Sequence, residues 1–143
     1  MATIKSYTNI EQSKKLAEIL PLESADMYYM ETSCNNYTIG ALQRLEKDML
    51  LKQAEYYKMF PCWSLAALFG VLRIHTTPTA FSINISVPSL TKTKDGYSIT
   101  YVGDYRIMES NNNNIESPIK IVADNSIDAC VEMIIKLHEM NLL

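Results

Sequence analysis

Three kinds of side chain in this sequence could do chemistry: cysteine, histidine and carboxylate. Cys62 stands beside Trp63 at the entrance of an apolar helical stretch. A helix N-terminus lowers a thiol pKa, and an imidazole base would complete a nucleophile, so Cys62 with His75 or His138 is the catalytic candidate. No spacing in the sequence brings either histidine to Cys62. The competing reading is a small hydrophobe packed at a helix entry, and it is the stronger one. Cys34, Cys62 and Cys130 lack metal-ligand spacing, and His138-Glu139 is not followed by a second histidine. The carboxylate pairs Asp104 with Glu109 and Asp124 with Asp128 are explained by a turn and by helix capping. No glycine-rich turn leads from a strand into a helix to hold a phosphate. These residues indicate no metal, cofactor or small-molecule ligand.

The nine tyrosines are the less ordinary feature. Tyr56 and Tyr57 are adjacent, as are Tyr28 and Tyr29, and Tyr97 and Tyr101 would share one face of a strand. Tyrosine offers large contact area at low entropic cost, so Tyr56, Tyr57, Tyr97 and Tyr101 are candidates for a partner-binding surface. The same residues would also suit the amphipathic edge of a core.

The elements that must position these groups follow from pattern. A helix is expected over 9–20, capped by Thr8 or Asn9 with Glu11 or Gln12 behind it, and stopped by Pro21. Its inward face would carry Ser13, Leu16, Ala17 and Leu20. Residues 25–30 read as a strand, and 31–36 as a loop. The stretch 39–57 is rich in helix formers and carries a thin stripe of Leu42, Leu45 and Met49, with an exposed hairpin or lid as the alternative. Pro61 precedes an apolar helix over 64–72, expected to be buried on most sides. Residues 81–87 alternate cleanly as a half-buried strand. Asp95-Gly96 predicts a hairpin with a type I′ turn joining 89–94 to 97–102. A strand over 105–109, a loop at the four asparagines 111–114 and a strand over 118–123 come next. The chain closes with a helix over 126–140, capped by Asp124 or Asn125, with Ile127, Cys130, Val131, Ile134, Leu137 and His138 along one side.

Hairpin-linked strands between helices predict an α+β fold. The expected form is an antiparallel sheet of about four strands, packed on one face by N-terminal, central and C-terminal helices. At 143 residues the chain suits a single domain over 1–143. A net charge of −3 with both signs interspersed argues against nucleic acid. No segment has the length and hydropathy of a membrane span, and the opening residues have no apolar signal core, which predicts a cytoplasmic protein with free thiols.

Three segments carry a resemblance: EQSKKLAEILPLESADM (11–27), PCWSLAALFGVL (61–72) and ADNSIDACVEMIIKL (123–137). In these the chain resembles a group of small uncharacterised proteins from prophages and mobile elements of gut bacteria. The likeness covers about a third of the chain and excludes 31–60 and the strands after Pro78. Members of that group commonly have a proline after the central helix, where this chain has Arg73. The resemblance implies a scaffold and brings no activity. The expectation is therefore a non-catalytic accessory module that binds a protein partner or itself as a homo-oligomer. A small cysteine enzyme is the alternative, and a nucleic-acid-associated phage factor the weaker one.

Overall fold

The protein is described by a computed structural model, which covers residues 5–33, 36–41, 59–73, 76–78, 83–85, 88–101, 119–140 and 143. It is an α+β protein with antiparallel sheets. The expected elements at 42–57 and 105–109, the four asparagines, and the candidates His75, Tyr56 and Tyr57 lie outside the described residues.

The first helix, α1, spans Ile10–Ala17. Asn9 accepts a hydrogen bond from the Gln12 amide at 2.8 Å, and the Gln12 side chain accepts from the Asn9 amide at 3.1 Å. This reciprocal capping box satisfies two donors that a helix start leaves over. The helix stops three residues short of the expected end. Pro21 disfavours helical backbone before it, and the amides of Ile19 and Leu20 turn back to the Leu16 carbonyl. Ser13, Leu16 and Leu20 are buried as expected, whereas Ala17 is exposed.

Strand β1 spans Met27–Ser33, β2 Asn36–Ala41 and β3 Met59–Cys62, forming an antiparallel sheet in the order β2-β1-β3. Two expectations are corrected here. Residues 31–33 continue the strand, and 39–41, the start of the stretch read as a helix with a hairpin or lid as the alternative, belong to β2. Pairing decides both: Glu31 lies opposite Tyr37, and Tyr29 opposite Ile39. Tertiary pairing outweighs a weak local helix propensity. The Tyr28 ring lies across Gly40, where a Cβ would come within 2.6 Å of the Tyr28 hydroxyl, so a larger residue there would displace the ring. Pro61 sits in an outer strand, where the lost amide donor costs no ladder bond.

Helix α2 spans Leu65–Arg73. The Ser64 hydroxyl accepts from the Ala67 amide at 3.2 Å and caps it. Leu68, Val71 and Leu72 are buried, Leu65, Ala67 and Phe69 are half-buried against the core, and Ala66 is exposed, so α2 packs on most sides as expected. Strands β4 (Thr76–Pro78) and β5 (Ile83–Ile85) then form a two-stranded pair.

Strands β6 (Ser89–Thr93), β7 (Gly96–Tyr101) and β8 (Ile119–Ala123) make the second three-stranded sheet. The register places Leu90, Ile99 and Ile121 side by side on one face, with Tyr97 and Ala123 beyond them. That face covers the core, and Ile99 is inaccessible. Thr91, Ser98 and Val122 lie on the other. The expected hairpin forms, but Thr93 pairs with Gly96, so Lys94-Asp95 occupy the tip. Gly96 follows the tip with φ +136, a backbone that side-chain-bearing residues rarely adopt.

Helix α3 spans Ser126–Glu139, and Asn125 caps it by accepting from the Asp128 amide at 2.9 Å. It packs on α2 and α1 as well as on β7 and β8. Because two layers cover it, Ala129 and Met133 are buried along with Ile127, Cys130, Val131, Ile134 and Leu137. Glu132, Lys136 and Glu139 face out, and so does His138, which was assigned to the packed side. One buried cluster draws on α1, Trp63, α2, β7, β8 and α3.

Gly96→Ala is expected to destabilise the protein by about 2–4 kcal/mol, combining backbone strain with a Cβ driven into the Ala123 carbonyl. Urea unfolding measures this. A loss under about 0.5 kcal/mol, the range of ordinary surface changes, would refute it.

Candidate functional site

The residues with chemical potential converge where the N-terminal segment meets the β3–α2 junction. Thr8 is fully buried there. Its hydroxyl accepts from the Trp63 amide at 3.1 Å, lies 2.8 Å from the Ser13 hydroxyl and is 3.5 Å from the Cys62 sulfur. One hydroxyl offers one donor and two acceptor positions, and these three neighbours use all of them. The Thr8 main chain is equally occupied. Its amide donates to the Trp63 carbonyl at 3.0 Å, and its carbonyl accepts from the Tyr29 hydroxyl at 2.6 Å and the Cys62 thiol at 3.5 Å.

This setting determines what Cys62 can do. The residue has no accessible surface. Burial pushes its thiol above the ordinary range, and the Asp26 carboxylate adds to that. Hydrogen bonds from Thr8, Ser13 and Tyr29 act the other way without overcoming burial. Tyr29 is shifted upward as well, by burial first and then by Cys62 and Tyr7. A neutral, enclosed thiol is a poor nucleophile, because attack requires the thiolate and a route for the substrate. His138 is exposed near the end of α3. Cys130 lies in the core with its thiol pushed up to about 12 by burial.

Two further networks brace the junction. The Ser64 amide donates to Asp26 at 2.9 Å, and the Ser64 hydroxyl donates to the other Asp26 oxygen. The Trp63 indole donates to the Ser24 hydroxyl at 2.9 Å, which donates to the Pro21 carbonyl at 2.6 Å. On the other side, Lys5 donates to Gln12 at 2.7 Å and to Asp128 at 2.8 Å, and Gln12 donates to Asp128 at 2.7 Å. Asn125 also donates to Asp128 at 2.7 Å. Burial alone would raise the Asp128 pKa, but these hydrogen bonds and the Lys5 charge outweigh it and hold the carboxyl below its ordinary value. Among the described residues no buried side-chain nitrogen or oxygen lacks a partner, and no cluster suits a metal.

A row of aromatic rings flanks the knot on the α1 side of the first sheet. Tyr7 meets Tyr29 edge-on at 6.5 Å, Tyr29 meets Tyr37 at 6.3 Å, and Tyr37 lies 6.0 Å from Phe60. The Lys14 ammonium sits 5.1 Å above the Phe60 ring. Tyr29 is buried, whereas Tyr7, Tyr37 and Phe60 are half-buried and Ile39, one step from Tyr37 on the same face, is 39% exposed. Of the tyrosines singled out in the sequence, Tyr101 ends β7, and Tyr97 is half-buried against the core on the face of Ile99. That face is the one α3 covers. Tyr7, Tyr37, Phe60 and Thr8 were missed. The alternation Tyr37, Ile39 was a usable signal once β2 was seen as a strand. Nothing local marks Thr8.

Two outcomes test this geometry. Thr8→Val keeps the shape but strands the Ser13 hydroxyl and the Trp63 amide, and is expected to cost about 2–4 kcal/mol in urea unfolding. Ser13→Ala should cost less. Asp128 is depressed on folding, so its contribution is present above its unfolded pKa, near 3.9, and is lost as pH falls through its lower folded value. Acid unfolding of Asp128→Asn should lack that component, and an unchanged acid profile would contradict the network. A comparison of the chain with protein-family models, curated proteins and solved structures finds no match for any part of it.

Proposed function

We propose that this chain is a non-catalytic module that binds a protein partner through the aromatic row beside β2. The observation that carries the reading is a division of labour among side chains. Among the groups able to do chemistry, Thr8, Ser13 and Cys62 are occupied by one another in the interior, Ser64 by Asp26, and Asp128 by Lys5, Gln12 and Asn125. The rings of Tyr7, Tyr37 and Phe60, together with Ile39, keep part of their surface in water. Aromatic residues are enriched at the centres of protein interfaces, where rigid rings give area at little entropic cost. Strand β2 is an outer strand among the described ones, which adds an edge for an extended segment to approach. No described helix is long and apolar enough to cross a membrane. A prophage or mobile-element setting is part of the proposal, on the resemblance of three sequence segments alone.

Affinity capture with the wild type should recover a protein that rebinds when purified; Ile39→Asp should weaken that rebinding at least tenfold without changing the unfolding midpoint, and Tyr37→Ala should weaken it at least tenfold while lowering the midpoint through its lost ring contacts. Rebinding untouched by both substitutions would rule out this surface. Tyr97→Ala serves as the contrast: it should lower stability and leave affinity unchanged.

A further inference from the structure

Residues 5–8 run as a strap from the start of α3 to the β3–α2 junction. At one end Lys5 reaches Asp128 and Gln12. In the middle the Leu65 amide donates to the Ser6 carbonyl at 3.4 Å, and Tyr7 forms an isolated antiparallel bridge with Ser64. At the other end Thr8 closes over Cys62 and Trp63, neither of which has any accessible surface. The two anchors differ in kind. The Thr8 end is dry, while the Lys5–Asp128 pair is open to water, with side chains 22% and 32% exposed. Between them the strap contributes only Ser6, which is exposed, and Tyr7, which is half-buried. Neither belongs to the hydrophobic cluster, so lifting the strap leaves the core formed by α1, α2, α3, β7 and β8 in place.

We propose that the strap 5–8 is a releasable cover over Cys62 and Trp63, and that the Lys5–Asp128 ion pair is its latch. Segments with few apolar contacts open at lower free energy than the whole protein unfolds. Opening frees the amide and carbonyl of Trp63, which pair with Thr8, and removes the Thr8 cover from the Cys62 sulfur, leaving it beside Ser13 and Tyr29. The device does not depend on the aromatic row having a partner, and its test is separate from that of the binding surface.

The test is peptide-resolved alkylation of the native protein by N-ethylmaleimide, with Cys130 as internal control. Cys130 lies in the core on α3 and reacts only when the core opens. Cys62 should react faster than Cys130 in the native protein, and Lys5→Met and Asp128→Asn should each raise the Cys62 rate about tenfold, the effect of losing one charge-assisted hydrogen bond. Lys14→Met removes a nearby positive charge outside the strap and should change neither rate. Lys5→Met is the decisive variant, since Asp128 also bonds the α3 cap. Cys62 reacting no faster than Cys130 in the wild type, with the same dependence on urea, would mean that exposure occurs by global unfolding, and would overturn the proposal. So would an unchanged Cys62 rate in both latch variants.

Discussion

Four pieces of this chain meet at a single threonine. The Thr8 hydroxyl joins α1 through Ser13, β3 through Cys62, and the entry to α2 through the Trp63 amide, while its carbonyl takes the Tyr29 hydroxyl of β1. In a low-dielectric interior each of these bonds is strengthened, and each would be costly to leave unmade. The knot sets the height at which α1 lies over the first sheet, and with it the spacing of the rings that flank it. Trp63 is held from two directions, by Thr8 at its backbone and by Ser24 at its indole. The largest fully buried side chain of the core is therefore positioned by polar contacts around its rim.

A second constraint works through helix starts. Gln12 closes the capping box of α1 with its carbonyl oxygen and spends its amide group on Asp128 in the first turn of α3. Asn125 caps α3 and also donates to Asp128. The beginnings of two helices distant in sequence thus share one carboxylate, and Lys5 balances its charge. A carboxylate suits the first turn of a helix, where unpaired amides present positive potential. Asp128 has this placement and three donors as well, which is why burial fails to raise its pKa.

Where local pattern and tertiary demand agree, the fold was legible from sequence. A capping box at the start of α1 with Thr8 or Asn9 as cap, a cap of α3 at Asp124 or Asn125, the apolar stripe of α3 and a hairpin at Asp95-Gly96 were expected from residue types at fixed offsets; the structure chooses Asn9 with Gln12 and Asn125, and places the hairpin tip one residue earlier. Legibility failed where pairing across the chain decides. Residues 31–33 and 36–41 offer loop formers and then helix formers, yet they form β strands because Tyr29, Glu31, Tyr37 and Ile39 meet across the ladder. His138 continues the spacing of the buried stripe but is exposed, although Leu137 beside it is buried and Met140 packs against the core. Gly96 was recognised as necessary for a turn, whereas its strictest constraint is the carbonyl of Ala123 on the neighbouring strand. The site was less legible than the fold. A nucleophile suggested by Cys62 at a helix entry becomes, with Thr8 and Tyr29 in place, a thiol closed away from water.

The aromatic row and the strap both depend on the knot: the row because Tyr29 is fixed by it, the strap because it is the strap's inner anchor. Amide hydrogen exchange at Trp63 tests that dependence most directly, since this proton is donated to the Thr8 hydroxyl. The account predicts exchange slowed by orders of magnitude relative to an unstructured peptide, with that protection largely lost in Thr8→Val. Exchange of the Trp63 amide at the unprotected rate in the native protein would contradict it.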